Sequence, residues 1–313
     1  MQATVGILFP GYGNQFVGMG KEFYDQERRV QEYFEEAGTC LGMNFVRLCF
    51  ASSDAELSRP VNAYPSLWLV RATIYGLIRD LGITPVCVAG EGVGYYNALH
   101  AARSITTPDA VYLLGKWSVL FQEFIEHSVW TPVLIRGLDE RIINRLCRAQ
   151  TKKNIFIGGY YPAGQNTWIV LATEQGYEAI QQYSREYSAR GLKLAKGWGF
   201  PSVILKDVTK AFTHYLPKVD IKPLTVPVLN PLTGEFISNA ELARDLLIKQ
   251  LMGPVRWDLM LEKFSVCNTI IEIGPSSIIG EITRALYPNA TVISIQTPGD
   301  LGRVRAHLGI VQK

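Results

Sequence analysis

Residues 87–99 read CVAGEGVGYYNAL. A β-type apolar run, TPVCVAG at 84–90, passes through Gly90, Gly92 and Gly94 into a helical pattern, which is the strand, tight turn and helix of a nucleophile elbow, G-x-S-x-G. The group such a turn exists to present is missing, because the central position is Gly92, between Glu91 and Val93. Glycine-rich turns of this kind also cradle phosphates, so the stretch alone leaves the chemistry open.

The surrounding sequence sets the fold. TVGILF at 4–9 reads as a buried strand and runs into the glycine-rich turn Pro10-Gly11-Tyr12-Gly13-Asn14-Gln15. Helical patterns follow at about 20–38, 64–81 and 108–126, so strands and helices alternate and predict a parallel sheet covered by helices. Between 131 and 197 the order becomes β-α-β-β-α-β, the signature of a ferredoxin-like unit inserted into the larger one. The chain then returns with a helical stretch near 202–216, a strand TVPVLN at 225–230 and helices at 241–252 and 255–265. It closes with a strand at 269–274, a helix at 276–286 and a strand at 291–296.

Composition excludes several function classes. Lys and Arg number 31 against 28 Asp and Glu, and no basic run exceeds Arg28-Arg29 or Lys152-Lys153, so no nucleic-acid footprint is expected. The five cysteines (Cys40, Cys49, Cys87, Cys147, Cys267) show no CxxC spacing, which argues against a disulfide framework and a zinc site and for reduced residues in a cytoplasmic protein. The start, MQATVGILFPGYG, has no signal-peptide pattern, and no apolar run approaches the ~18 residues of a membrane span. Neither cofactor nor metal is expected.

Eight stretches, the elbow among them, then sharpen the reading. The chain resembles the malonyl-CoA:acyl carrier protein transacylases and the acyltransferase domains of polyketide synthases. Their FPGQGSQ stands here as FPGYGNQ at 9–15, followed by VGMG at 17–20. Their AGHSLGEY is AGEGVGYY at 89–96, RGKFMQ is LGKWSV at 114–119 and FHSPLM is FPSVIL at 200–205. PVLN at 227–230, QLMGPVRW at 250–257 and EIGP at 272–275 follow in order and spacing. The resemblance implies an α/β fold: an α/β-hydrolase-like large subdomain with a parallel sheet (1–130 and 198–313) and an inserted ferredoxin-like small subdomain (131–197).

In that family a serine on the elbow attacks the acyl thioester, a histidine is its base, backbone amides and a Gln hold the oxyanion, and an arginine pairs with the malonyl carboxylate. A hydroxyl needs a base to become a nucleophile, and a tetrahedral oxyanion needs preorganised donors. Carried over position by position, the serine is Gly92, the histidine Pro201, the arginine Leu114 and the loop Gln Tyr12, while the residue before the serine, His in the family, is Glu91. A Gln kept near the family's site matches Gln250. Loss of either Ser or His in a serine-based triad costs about 10⁶ in rate, and the two losses do not add.

Three readings follow from the resemblance. The leading one is a non-catalytic acyltransferase-like protein of fatty acid or polyketide biosynthesis that binds an acyl carrier protein, an acyl-CoA or another synthase component. The second is altered chemistry on an acyl substrate by Glu91, Tyr12 or Gln250; the third is a pseudo-subunit acting through its surface alone. Tyr12, Gly92, Val93, Trp117, Tyr161 and Trp198 are expected along the cleft, where aromatics either fill a disused pocket or line a reshaped one. Arg190, Lys193, Lys196, Lys206 and Lys210 form a basic rim able to meet an acidic carrier protein, or an ordinary solvated face. His214 is too far along its helix from Pro201 to replace the histidine, since thirteen residues rise ~20 Å. Cys87, inside the β-run, reads as an inert apolar residue.

Overall fold

The computed structural model describes residues 3–149, 154–161, 165–195, 197, 201–274 and 278–310. A first sheet has the order β2-β1-β8-β9, all parallel, from β1 (Val5–Phe9), β2 (Cys87–Gly90), β8 (Thr269–Ile273) and β9 (Thr291–Ile295). Every residue of β1, β2 and β8 is buried, as expected of parallel strands covered on both faces.

Between β1 and β2 run α1 (Lys21–Gln26), α2 (Arg28–Leu41), α3 (Phe45–Ala51), α4 (Asp54–Leu57) and α5 (Pro60–Asp80). Helix α5 starts on Pro60, where a missing N–H costs nothing, and is buried all round from Ala63 to Ile78, which makes it the central helix of the core. After β2 come α6 (Val93–Ala101) and α7 (Thr107–His127).

The second sheet has the order β6-β3-β5-β4-β7: β3 (Thr131–Arg136), β4 (Ile155–Tyr160), β5 (Thr167–Ala172), β6 (Arg190–Lys193) and β7 (Val255–Arg256). Its first four strands pair antiparallel. Its two faces follow the strand period of two. Val133, Ile135, Val170 and Ala172 pack on one side under α8 (Glu140–Ala149) and α9 (Glu174–Glu186). Leu134, Ile169 and Leu171 join a separate cluster with Leu8 and Ala89 of the first sheet, so the two sheets share a dry layer directly below the elbow.

Three sequence expectations change. TVPVLN at 225–230 makes isolated bridges, Val88 with Val228 and Leu229 with Phe236, and no full strand. Pro227 has no N–H to donate, and only its carbonyl is used, by the Val88 amide at 2.9 Å. Residues 255–256, expected in a helix, form β7 and pair parallel with Gly159 and Tyr160 of β4. Helical structure near 202–216 is confined to a 3₁₀ turn at Val203–Leu205, α10 (Lys206–Thr213) and a 3₁₀ turn at Leu216–Lys218. The remaining helices are α11 (Ala240–Lys249), α12 (Trp257–Glu262), α13 (Ile278–Leu286) and α14 (Pro298–Leu308), the last opened by a Thr297/Asp300 capping box and absent from the sequence reading. No described helix is long and apolar enough to cross a membrane.

Candidate functional site: an elbow without a nucleophile

Two of the three glycines build the turn. A Cβ at Gly90 would lie 2.2 Å from the Gly94 carbonyl oxygen, and one at Gly94 would lie 2.1 Å from the carbonyl oxygen of Phe9. The start of α6 is thus pressed backbone to backbone against the ends of β1 and β2, and only glycine fits at either point. Gly92, at φ 52° and ψ −118°, is the exception: a Cβ there would meet nothing within 4 Å. The turn keeps its left-handed bend and an open space where a nucleophile would project.

That space is a cavity of about 30 Å³ open to water-sized molecules. Gly92, Pro201, Leu114, Tyr12, Glu91, Val93, Trp117 and Gln250 all line it, so the chain brings the four positions matched to the family's motifs to one place. Pro201 is set by the following residue, whose amide donates to the Leu251 carbonyl at 3.2 Å. Leu114 is fully buried on α7, and Trp117, one turn on, stacks on Phe121 with ring centres 5.5 Å apart and meets Phe212 of α10 edge-on at 5.5 Å. Aromatic packing between α7 and α10 thus forms one wall. Val93 opens α6, and its N–H has no carbonyl within the helix to bond, so one backbone donor remains at the turn.

Tyr12 has its hydroxyl engaged away from the turn. Its hydroxyl donates to the Ser58 carbonyl at 2.6 Å and burial raises its pKa, while its ring lies 5.6 Å from that of Tyr64. The first loop is held instead by Arg71, buried on α5, whose guanidinium donates to the carbonyls of Pro10 at 2.5 Å and Gly11 at 2.8 Å and to Asn14 Oδ1 at 2.8 Å. Burial lowers its pKa to about 10, against the attraction of Glu272 and Glu91. An arginine inside the apolar run 67–78 was a legible signal of such a role, and the sequence reading passed over it.

Glu91 reaches the cavity with its carboxylate enclosed: Oε2 accepts from the Trp257 indole N–H at 2.7 Å. Burial, the largest influence, raises its pKa; the bonds from Trp257 and the Gly11 amide and the charge of Arg71 lower it without cancelling that rise. The ionised form is therefore the costly one when folded. Stability contributed by this residue is greatest below the unfolded pKa, about 4.3, and is lost as pH rises through the higher folded value. Glu91→Gln is expected to remove that decline, so that in urea unfolding the variant gains on the wild type as pH rises above about 4. A difference independent of pH would mean that burial does not govern this carboxyl.

Gln250 follows α11 and is 2% exposed, with neither side-chain oxygen nor nitrogen hydrogen-bonded. Tyr96, also 2% exposed and on the same cavity, has an unpartnered hydroxyl.

Other expected residues fall elsewhere. Tyr161 is buried beside Glu91 but lines the two neighbouring depressions rather than this cavity. Tyr95, next to Tyr96 on α6 but not among the expected residues, donates to the Ala243 carbonyl at 3.1 Å. Trp198 and Lys196 lie outside the described residues. Lys193 is paired with Glu174 at 2.8 Å and sits 4.3 Å over the Tyr177 ring. Arg190 and Lys193 belong to edge strand β6, where charge also blocks pairing with another chain. Lys206 and Lys210 share one exposed face of α10. Cys87 meets Cys267 at 3.8 Å between sulfurs, both thiols buried and away from the cavity. No group of three metal-ligating side chains occurs among the described residues.

Comparison with known proteins agrees with this frame. The acyl transferase domain family matches residues 7–143. The malonyl CoA-acyl carrier protein transacylase of Bacillus subtilis (strain 168) is 28% identical over 301 residues, which cover 95% of this chain and 94% of the relative. The chain is a homologue of the malonyl CoA-acyl carrier protein transacylases. The fold of this homologue is theirs. The crystal structure of the Clostridium perfringens transacylase superposes with a TM-score of 0.89 at 24% identity, covering 98% of both chains. A malonyl-transacylase in complex with its type II PKS acyl-carrier protein superposes with a TM-score of 0.90 at 23% identity, covering 97% of this chain and 99% of the other.

Proposed function

We propose that this transacylase homologue serves fatty acid or polyketide biosynthesis as a binding component that engages an acyl carrier protein without serine-based acyl transfer. The observation that carries the reading is the shared cavity of Gly92 and Pro201, since neither of these two residues carries a hydroxyl or an imidazole. Malonyl recognition is lost with them, because Leu114 is buried among apolar groups and offers no fork to a carboxylate. Carrier binding is supported by the solved complex of a structural relative with its acyl-carrier protein. On this chain the unpaired side chains of Lys206 and Lys210 provide a local positive face on α10. Such a face acts mainly on the association rate and is screened by salt.

Intact-protein mass spectrometry after incubation with malonyl-CoA and holo carrier protein is expected to show no acyl mass on either protein, while calorimetry detects a complex. Lys206→Glu with Lys210→Glu is expected to weaken that complex about tenfold at low salt and less at high salt. An acyl mass on the carrier would overturn the reading. If that mass vanished in Glu91→Gln, the transfer would belong to the enclosed carboxylate.

A further inference from the structure

The site carries more unmet hydrogen-bonding capacity than a disused pocket can hold at no cost. Three polar atoms are buried and unpartnered around it: the Tyr96 hydroxyl oxygen and the Oε1 and Nε2 of Gln250. Each such atom costs about 1–3 kcal/mol if nothing bonds it, and clustering of several around one void is the pattern of a ligand or water site. A pocket filled in after losing its purpose would be expected to convert them to apolar groups, as has happened at Leu114.

The chemistry of the walls narrows the occupant. Oε1 of Gln250 needs a donor, Nε2 needs an acceptor, and the Tyr96 hydroxyl can take either part. Among the described residues no cation lines the cavity, since Arg71 is committed to Pro10, Gly11 and Asn14, so a carboxylate placed there would lack a counter-charge. Val93, Leu114, Trp117 and Leu205 supply an apolar surface. The volume of about 30 Å³ is room for about two water-sized polar atoms, a water needing some 10–15 Å³ on this measure.

We propose that the cavity binds a compact neutral group that both donates and accepts hydrogen bonds, the head of a primary carboxamide, whose oxygen and nitrogen take the room of two waters, and that it excludes the corresponding carboxylate. The group lays its oxygen toward Gln250 Nε2 and its N–H toward Gln250 Oε1, as two amides pair head to head, with Tyr96 as third partner. This deepens the reading of the cleft as a binding rather than a transferring site, and rests on it. No covalent step is involved.

The test uses acetamide and acetate as probes on the full chain, followed by saturation-transfer NMR near neutral pH. Acetamide is expected to bind at least about tenfold more tightly than acetate, a difference of about 1.4 kcal/mol. Gln250→Leu is expected to abolish that preference and, with no ligand present, to raise the melting temperature by removing two unpartnered atoms. Should that variant not fold, Tyr96→Phe provides the same two readouts with a smaller change. Equal binding of the two probes, tighter binding of acetate, or displacement of neither from a cavity that holds only water would each overturn the assignment. Carrier-protein binding, measured separately, keeps the two ideas apart. Loss of carrier binding with amide preference intact sinks the partner, and the reverse result sinks the ligand.

Discussion

Gly94→Ala is expected to destabilise the protein by at least about 4 kcal/mol, enough to remove most of the stability of an ordinary domain. The added carbon would sit 2.1 Å from the Phe9 carbonyl oxygen and 2.6 Å from that of Pro10. Both are backbone atoms, one closing β1 and the other opening a loop clamped by Arg71, so neither can step aside cheaply. Gly92→Ala, two residues away, is the internal control. Nothing lies within 4 Å of its new carbon, and only the positive φ of 52° is charged against it, about 1–2 kcal/mol. Urea unfolding of the pair measures the contrast, and equal losses would mean that the helix does not depend on close contact with the strand.

The second large effect is a gain. Gly92→Ser alone is expected to leave malonyl transfer at background, because a hydroxyl without a base is a poor nucleophile. Adding Pro201→His should raise acyl-enzyme formation about 10²- to 10⁴-fold above the single variant, the usual contribution of a positioned general base. The geometry favours the experiment: both positions line one cavity, the space at Gly92 is open, and the Val93 amide stands at the helix start. Stopped-flow or quenched mass spectrometry of the acylated serine reads the result. Acylation by the single variant at the rate of the double would mean that some other group, Glu91 first among them, already acts as base.

Much of this was legible in the residues because it rests on local rules. The alternation of strands and helices, the glycines of the elbow and the switch to β-α-β-β-α-β after Trp130 each follow from periodicity and turn chemistry, and the homology and the parallel sheet agree with them. What escaped depended on partners far apart in the chain. The indole that holds Glu91 comes 166 residues later, and no spacing rule links the two. The engagement of Tyr12 was hidden for the same reason, because Ser58, whose carbonyl accepts its hydrogen, lies 46 residues away. Strand β7 is two residues long, too short to show a period, and the apolar residues that follow it read as one helix. Helix α14 was missed for a different reason, since its Thr297 and Asp300 cap was printed in the sequence and is a local signal.

Strand β7 has a mechanical consequence. It reaches the edge of the second sheet from the part of the chain that otherwise builds the first, pairing Val255 with Gly159 and Arg256 with Tyr160, while the Arg256 amide is tied back to the Pro231 carbonyl at 2.8 Å. Two sheets joined by a stitch of backbone cannot swing apart as bodies on a free hinge; any wide gape must first tear that seam. A ligand therefore enters past side chains rather than through parting jaws, and the amide protons along the seam should exchange with solvent as slowly as those of the sheet interiors.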